Sequence, residues 1–194
     1  MTRQVVARIE SALAGVLWIG ASAFGADSIT TPQPANPPVV DKSGYTLLNP
    51  TPRQFMRELS ADRPDKTESA YTVDAGHFQL ELDFVSYTSD RTTEETVHAV
   101  SVAPFNLKVG LTNNSDLQFI AETFTRQNTS GHDGMVRSGF GDVVVRWKVN
   151  LFGNDGGRTG LGIISFAKFP TNQDGLGNNA VEGAMIFPLE IKLA

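Results

Sequence analysis

Cysteine is absent from the 194 residues, so no disulfide frame, thiolate metal site or cysteine nucleophile enters the argument. Histidine is scarce, and His77, His98 and His132 share no ligand spacing, so no metal and no cofactor are expected. The net charge of -5 comes with no basic cluster, which argues against a nucleic-acid partner. Beyond the amino terminus no apolar run approaches the ~20 residues that a membrane-crossing helix needs. If this chain crosses a bilayer, it does so as a barrel of strands. Catalytic patterns are equally thin. Ser138 and Ser165 lack the Gly-x-Ser-x-Gly surroundings of an activated serine, and the carboxylate pair Glu81 and Asp83 alternates with apolar residues as a lining would. Gly175 to Ala180 has the glycine spacing of a dinucleotide loop, but a poor helix former follows it. No enzyme is expected.

What is present begins with an export pattern. Arg3 and Arg8 form a basic lead, Ala12 to Gly20 an apolar run and Ala21-Ser22-Ala23 a small-residue cleavage site, so residues 1–25 read as a signal peptide despite Glu10. The competing reading is a short amphipathic helix. Residues 26–70 then carry Pro32, Pro34, Pro37, Pro38, Pro50, Pro52 and Pro64, which suit a periplasmic tether or plug-like segment. A helical turn is expected over Arg53 to Leu59.

From about residue 71 to 194 the pattern is period two. In Asp142 to Leu151 the side chains of Val143, Val145, Trp147, Val149 and Leu151 point one way and those of Asp142, Arg146, Lys148 and Asn150 the other, with Val144 the exception. Five more strands are expected at Gly76 to Tyr87, His98 to Thr112, Leu117 to Thr125, Thr159 to Phe169 and Met185 to Leu193. Ile120 and Phe124 fit the alternation of the third poorly. The outward set Phe78, Leu80, Leu82, Phe84, Val143, Val145, Trp147 and Val149 is expected to meet outer-membrane lipid. The inward set Glu81, Asp83, Lys108, Glu122, Arg146, Lys148, Glu190 and Lys192 is expected to line a lumen, where opposite charges on neighbouring strands neutralise one another. Pro104 and Pro188 fall on the inward face and suggest bends or strand ends. Tight turns at Asn113 to Asp116 and Asn154 to Gly157 alternate with long polar loops at Thr88 to Val97, Arg126 to Gly141 and Pro170 to Ala184. In an up-and-down meander this puts short turns at one end and long loops at the other.

The segment Arg63 to Glu81, followed by Gly139-Phe-Gly-Asp-Val-Val-Val-Arg-Trp-Lys148, resembles the Gram-negative outer-membrane transporters grouped with the meta-pathway (MetA-type) protein of phenol degradation. That resemblance implies an exported, porin-like outer-membrane β-barrel for passive uptake of small solutes, hydrophobic or aromatic ones among them, and brings no catalytic residues. Such barrels usually finish on an aromatic residue, whereas this sequence stops at Leu193-Ala194 after six candidate strands, and closure needs about eight. The expectation is therefore an all-β antiparallel meander forming the amino-terminal fragment of a barrel, with a barrel shared between chains or a sheet that is no barrel as the alternatives. The rival from another class is a secreted or periplasmic soluble β-sandwich that binds a ligand or adheres through its loops.

Overall fold

A computed structural model describes residues 7–13, 40–62, 68–131 and 134–193. Most of the export pattern lies outside these residues, as do residues 26–39 of the proline-rich stretch and His132. Within the former, Ala7–Leu13 is strand β1 and pairs antiparallel with Val85–Arg91.

The expected meander is there, cut into shorter pieces. The first long strand is β2 (Phe78–Leu82) and β3 (Val85–Arg91), the second β4 (Thr96–Val102) and β5 (Phe105–Thr112), the third β6 (Ser115–Ala121) and β7 (Phe124–Ser130). The fourth is β8 (Met135–Gly139) and β9 (Val143–Phe152), the fifth the unbroken β10 (Thr159–Phe169), the sixth β11 (Glu182–Ile186) and β12 (Leu189–Ile191). Every neighbouring pair is antiparallel, in two orders, β1-β3-β4-β7-β8 and β11-β10-β9-β6-β5-β2, with β12 on β10. Among the described residues the sheet stays open: β2 and β11 end its longer half and do not pair with each other.

The two halves are nevertheless one ladder. Leu82–Phe105 and Val85–Val102 belong to a single unshifted register, as do Phe105–Ala121 with Val102–Phe124 and Ala121–Val143 with Thr125–Gly139. Backbone bonds bridge the gap: Asp83 donates to the Pro104 carbonyl at 3.1 Å, Ala103 to Phe84 at 3.1 Å and Gly141 to Glu122 at 3.0 Å. A transverse seam thus crosses the first four strands at one height. There Ala103 takes a left-handed φ of 50°, and Pro104 has no N–H to give. Pro188 marks the corresponding break in the sixth strand and accepts from Gly162 at 3.0 Å.

Each of these four strands changes facing at the seam. Below it the covered positions are Glu81, Asn106, Lys108, Asp116, Gln118, Lys148 and Asn150; above it the same concave side is lined by Thr88 and Asp90, Val97 and Ala99, and Thr125 and Gln127. The odd positions of β2 give way to even ones in β3, and the even positions of β5 and β6 to odd ones in β4 and β7. This explains the two residues that blurred the third strand: Ile120 is inward and buried, and Phe124, beyond the seam, is outward and exposed.

The loops correct the sequence reading. Asn113-Asn114 and the segment 153–158 are short turns as expected; in the latter Gly153 has φ 89°, and a Cβ there would sit 2.3 Å from the Thr159 carbonyl oxygen. The long polar stretches at Thr88 to Val97 and Arg126 to Gly141, however, are mostly strand. The connections that remain are residues 92–95, closed by the Thr92 N–H to Glu95 carbonyl bond of 2.9 Å, and residues 131–134. Ser, Thr, Asn and Gln dominate both faces of β7, so hydropathy does not alternate while the backbone ladder continues. Of the three long loops expected, residues 170–181 alone remain one among the described residues.

Candidate functional site: a filled polar face and an open trough

Burial along these strands is inverted relative to a soluble protein. Lys148, Gln118 and Asp116 are 0 % exposed, while Trp147 is 53 %, Leu117 42 % and Phe119 42 % exposed on the same two strands. Among the expected outward residues Phe78, Leu80, Phe84 and Trp147 are exposed and Leu82, Val143, Val145 and Val149 half-buried. On the second strand the apolar outward row runs from Val109 through Val102 to Val100, ten residues of ladder. That matches the ~9–11 tilted residues a bilayer core takes.

The proline-rich segment covers the polar face below the seam. Asp62 sits at its centre: one carboxylate oxygen accepts from Lys108 Nζ at 2.5 Å and Lys148 Nζ at 2.8 Å, and the other accepts from the Ser69 N–H at 2.9 Å. Glu81 completes the cluster, 2.6 Å from Lys108 Nζ, and accepts from Gln79 at 2.7 Å and from the Asp62 N–H at 3.1 Å. Burial alone would raise the Asp62 pKa, but the two ammonium groups outweigh it and hold the carboxyl well below the usual carboxylate range. Around this centre Asp116 accepts from the Val73 N–H, Asn150 donates to the Ala70 carbonyl, and Arg146 pairs with Glu68 at 2.5 Å. We call residues 40–62 and 68–75 the inlay. Its first half contains a single 3-10 turn, Arg53–Phe55, shorter than the helical turn expected over Arg53 to Leu59.

A second clamp holds the inlay at the short turns. Lys42 lies 2.6 Å from Asp155 and 3.5 Å from Asp74, while Arg57 reaches the same two carboxylates at 3.0 and 3.3 Å and donates to both the side chain and the carbonyl of Asn113. Burial pushes the Asp155 carboxyl up, but bonds from Asn113 and Lys42 and the Arg57 charge bring it below its ordinary value. Asn154 donates to Thr72 Oγ1 at 2.8 Å, and His77 bonds the Thr51 carbonyl at 2.7 Å.

The eight expected lining residues therefore divide. Glu81, Lys108 and Lys148 form one cluster under the inlay, with Arg146 beside it. Glu190 accepts from Tyr71 of the inlay at 3.0 Å, and the exposed Lys192 lies over the Tyr71 ring. Asp83 stands half-buried at the seam. Glu122, just above the cluster, accepts from Thr125 and opens upward. Asn106 and Gln118 fall on the polar face by the alternation of their strands but are not among the expected lining residues, and Asp62, Glu68 and Asp116 were missed from the sequence. Asp116, read as the end of a tight turn, shares the parity of Gln118 and could have been found by it; Asp62 and Glu68, in a segment without periodicity, left no such signal.

Above the seam the concave side is an open trough with a cavity of about 460 Å³. Loop 170–181 folds into it. The loop is pinned by Asn172 to Asp142 at 2.7 Å, by Arg137 to the Gly175 carbonyl at 2.7 Å and by Thr171 to the Val143 N–H at 3.0 Å. Here the glycine pattern at Gly175 to Ala180 lies in this loop, which leads into β11 with no helix. Val144, the exception to its strand's alternation, faces the trough beside Ile120. His98 stacks on Tyr87 and bonds its hydroxyl at 2.8 Å, and among the described residues no group of acidic or histidine side chains is arranged to hold a metal.

An antiparallel meander with apolar rows turned outward and a charged concave side is the polarity of an outer-membrane type β-sheet. Residues 61–185 match the family described as "Putative MetA-pathway of phenol degradation", and the chain belongs to that family. Neither a curated protein nor a solved structure matches it.

Proposed function

We propose that this protein is an exported, non-enzymatic outer-membrane channel for passive uptake of small solutes, its periplasmic half occluded by the inlay. The observation that carries this reading is the inversion itself: ammonium and carboxylate groups are enclosed while tryptophan, phenylalanine and leucine side chains are open to their surroundings. In water that arrangement would forfeit the transfer free energy of each exposed apolar side chain, about 1.5–3 kcal/mol when fully buried. In hydrocarbon the outward rows are at home, and a basic residue placed among them would cost roughly 2–4 kcal/mol at midplane. A soluble sandwich would cover the apolar rows with a second sheet, whereas the outward side chains of Phe78, Leu117, Phe119 and Trp147 are exposed.

The test is fractionation and reconstitution of the full-length gene product. Recovery in detergent-extracted outer membranes together with discrete conductance in planar bilayers is the expected result. Recovery as free periplasmic protein, or electrical silence of the membrane-extracted protein even after Asp62→Ala loosens the inlay, would overturn it.

A further inference from the structure

Above the seam the two sides of the sheet carry opposite charge. The carboxylates Asp90, Glu122 and Asp142 line the concave side. On the outward side of β3, β4, β7 and β8 alternation places Arg91, His98 and Arg126, and no carboxylate of these four strands shares it. Glu94 and Glu95 belong to the turn beyond Arg91.

Arg126 stands where the outward side turns from apolar to polar. The outward row of its strand runs Leu117, Phe119, Ala121, Phe124 and then Arg126. Residues 117–126, rising about 3.3 Å each at a tilt of about 45°, span on the order of 20 Å, most of the ~25 Å apolar band of an outer-membrane barrel. Register sets Tyr87, Val100, Arg126 and Ser138 at one height. The row below is Val85, Val102 and Phe124, all exposed; the row above begins Ser89, His98 and Asn128. Tyr87 is the kind of side chain that marks the boundary between hydrocarbon and head groups. Arg126 is itself exposed, with exposed hydrogen-bond donors beside it in Ser138, directly opposite, and Asn128, two residues along. A cation on the lipid side is costly in hydrocarbon and is stabilised by anionic head groups at the boundary.

Resting on the channel reading, which puts the inlay at the periplasmic end and this row in the outer leaflet, we propose that Arg126, with Ser138 and Asn128, binds the phosphate of an outer-leaflet lipid. The lipid's chains lie on Phe124, Val102 and Val85. A guanidinium offers two parallel donors to two phosphate oxygens, and the neighbouring hydroxyl and amide reach the rest.

Delipidated full-length protein in detergent, titrated with phosphatidylglycerol or phosphatidylcholine and read by native mass spectrometry, tests this. Phosphatidylcholine carries the same phosphate beside a compensating ammonium. Phosphatidylglycerol should be retained about fivefold better, as one basic side chain at an anionic head group allows. Arg126→Gln should abolish that preference and Ser138→Ala reduce it, whereas Arg158→Gln, the same loss of charge at the exposed short-turn end, should leave it intact. Glycerol phosphate, a head without chains, should not displace the lipid at equal concentration. Equal retention of the two lipids, a preference that survives Arg126→Gln, an equal loss in Arg158→Gln, or displacement by glycerol phosphate would each overturn the site. Its failure is separable from failure of the channel reading: a lipid preference in a protein that never conducts keeps the site and removes the channel, and conductance without a preference does the reverse.

Discussion

Below the seam the polar face is covered by the inlay; above it the same face is open but for one loop. Both halves use the same ladders, and both direct charged side chains to the concave side. They differ in what meets those charges. The lower half receives a covalently attached partner whose single carboxylate at Asp62 joins lysines from two non-adjacent strands, β5 and β9, while β6 between them supplies Asp116 and Gln118. The upper half meets solvent and one loop. Charges of similar kind thus serve as a fastening where a chain segment closes over them and stay accessible where none does.

The sharpest way to break the comparison is to remove the fastening. Asp62→Ala leaves Lys108 and Lys148 enclosed without their shared counter-ion, and losing one partner of a buried pair typically costs about 3–5 kcal/mol. The expected outcome is release of the inlay, seen as new protease cleavage within residues 40–75 of the reconstituted protein and as a larger conductance. If the protease pattern stays unchanged, Asp62 is not what holds the segment. Next in size is Trp147→Lys, which places a charge on the outward face and should lower stability by roughly 2–4 kcal/mol if that position lies near midplane, measured by denaturant unfolding in lipid. A neutral effect there would show that the apolar rows do not face hydrocarbon. Third, Gly177→Ala brings its methyl against the side-chain ends of Asp142 and Asn172, which can turn aside, so its cost should sit at the low end of the about 1–3 kcal/mol of overpacking, whereas Gly44→Ala, with nothing within 4 Å of the new methyl, should be neutral. The readout is the protection of residues 170–181 from hydrogen exchange.

Smallest over ordinary conditions is the effect of acid. The folded-state pKa of Asp62 is lowered, so its contribution is fully present above the unfolded value of about 3.9 and disappears only as pH falls through the lower folded value. Inlay protection from protease should be flat from neutral pH to about 4 and fall in stronger acid. A loss of protection already complete above about pH 4 would mean that Asp62 does not govern docking.

Much of this architecture could be read from residue order because half-buried strands advertise themselves by alternation. Trp147 against Lys148 and Leu107 against Lys108 needed no coordinates to be assigned to opposite faces. Alternation failed where it had no contrast to work with. In Thr125 to Ser130 both faces are polar, so β7 looked like loop. It failed again at the seam, because a change of facing makes an apolar residue such as Phe124 appear out of phase with Leu117 and Phe119. The inlay was the least visible part. Its contacts to the sheet run through backbone groups of Ala70, Thr72 and Val73 and through scattered side chains such as Lys42, Arg57, Asp62, Glu68 and Tyr71, and neither kind leaves a periodic trace.

The change of facing between Asp83 and Gly141 has a consequence for how the chain tolerates change. A lysine scan along any of the first four strands should read as a wave of permitted and forbidden positions whose phase slips by one residue partway up. Since the slip falls at the same height on all four, a single-residue deletion at Ala103 alone would put one strand out of step with two neighbours and send its upper apolar residues inward. Compensating it would require matching deletions next door, so the four strands are bound to vary together in length at that point.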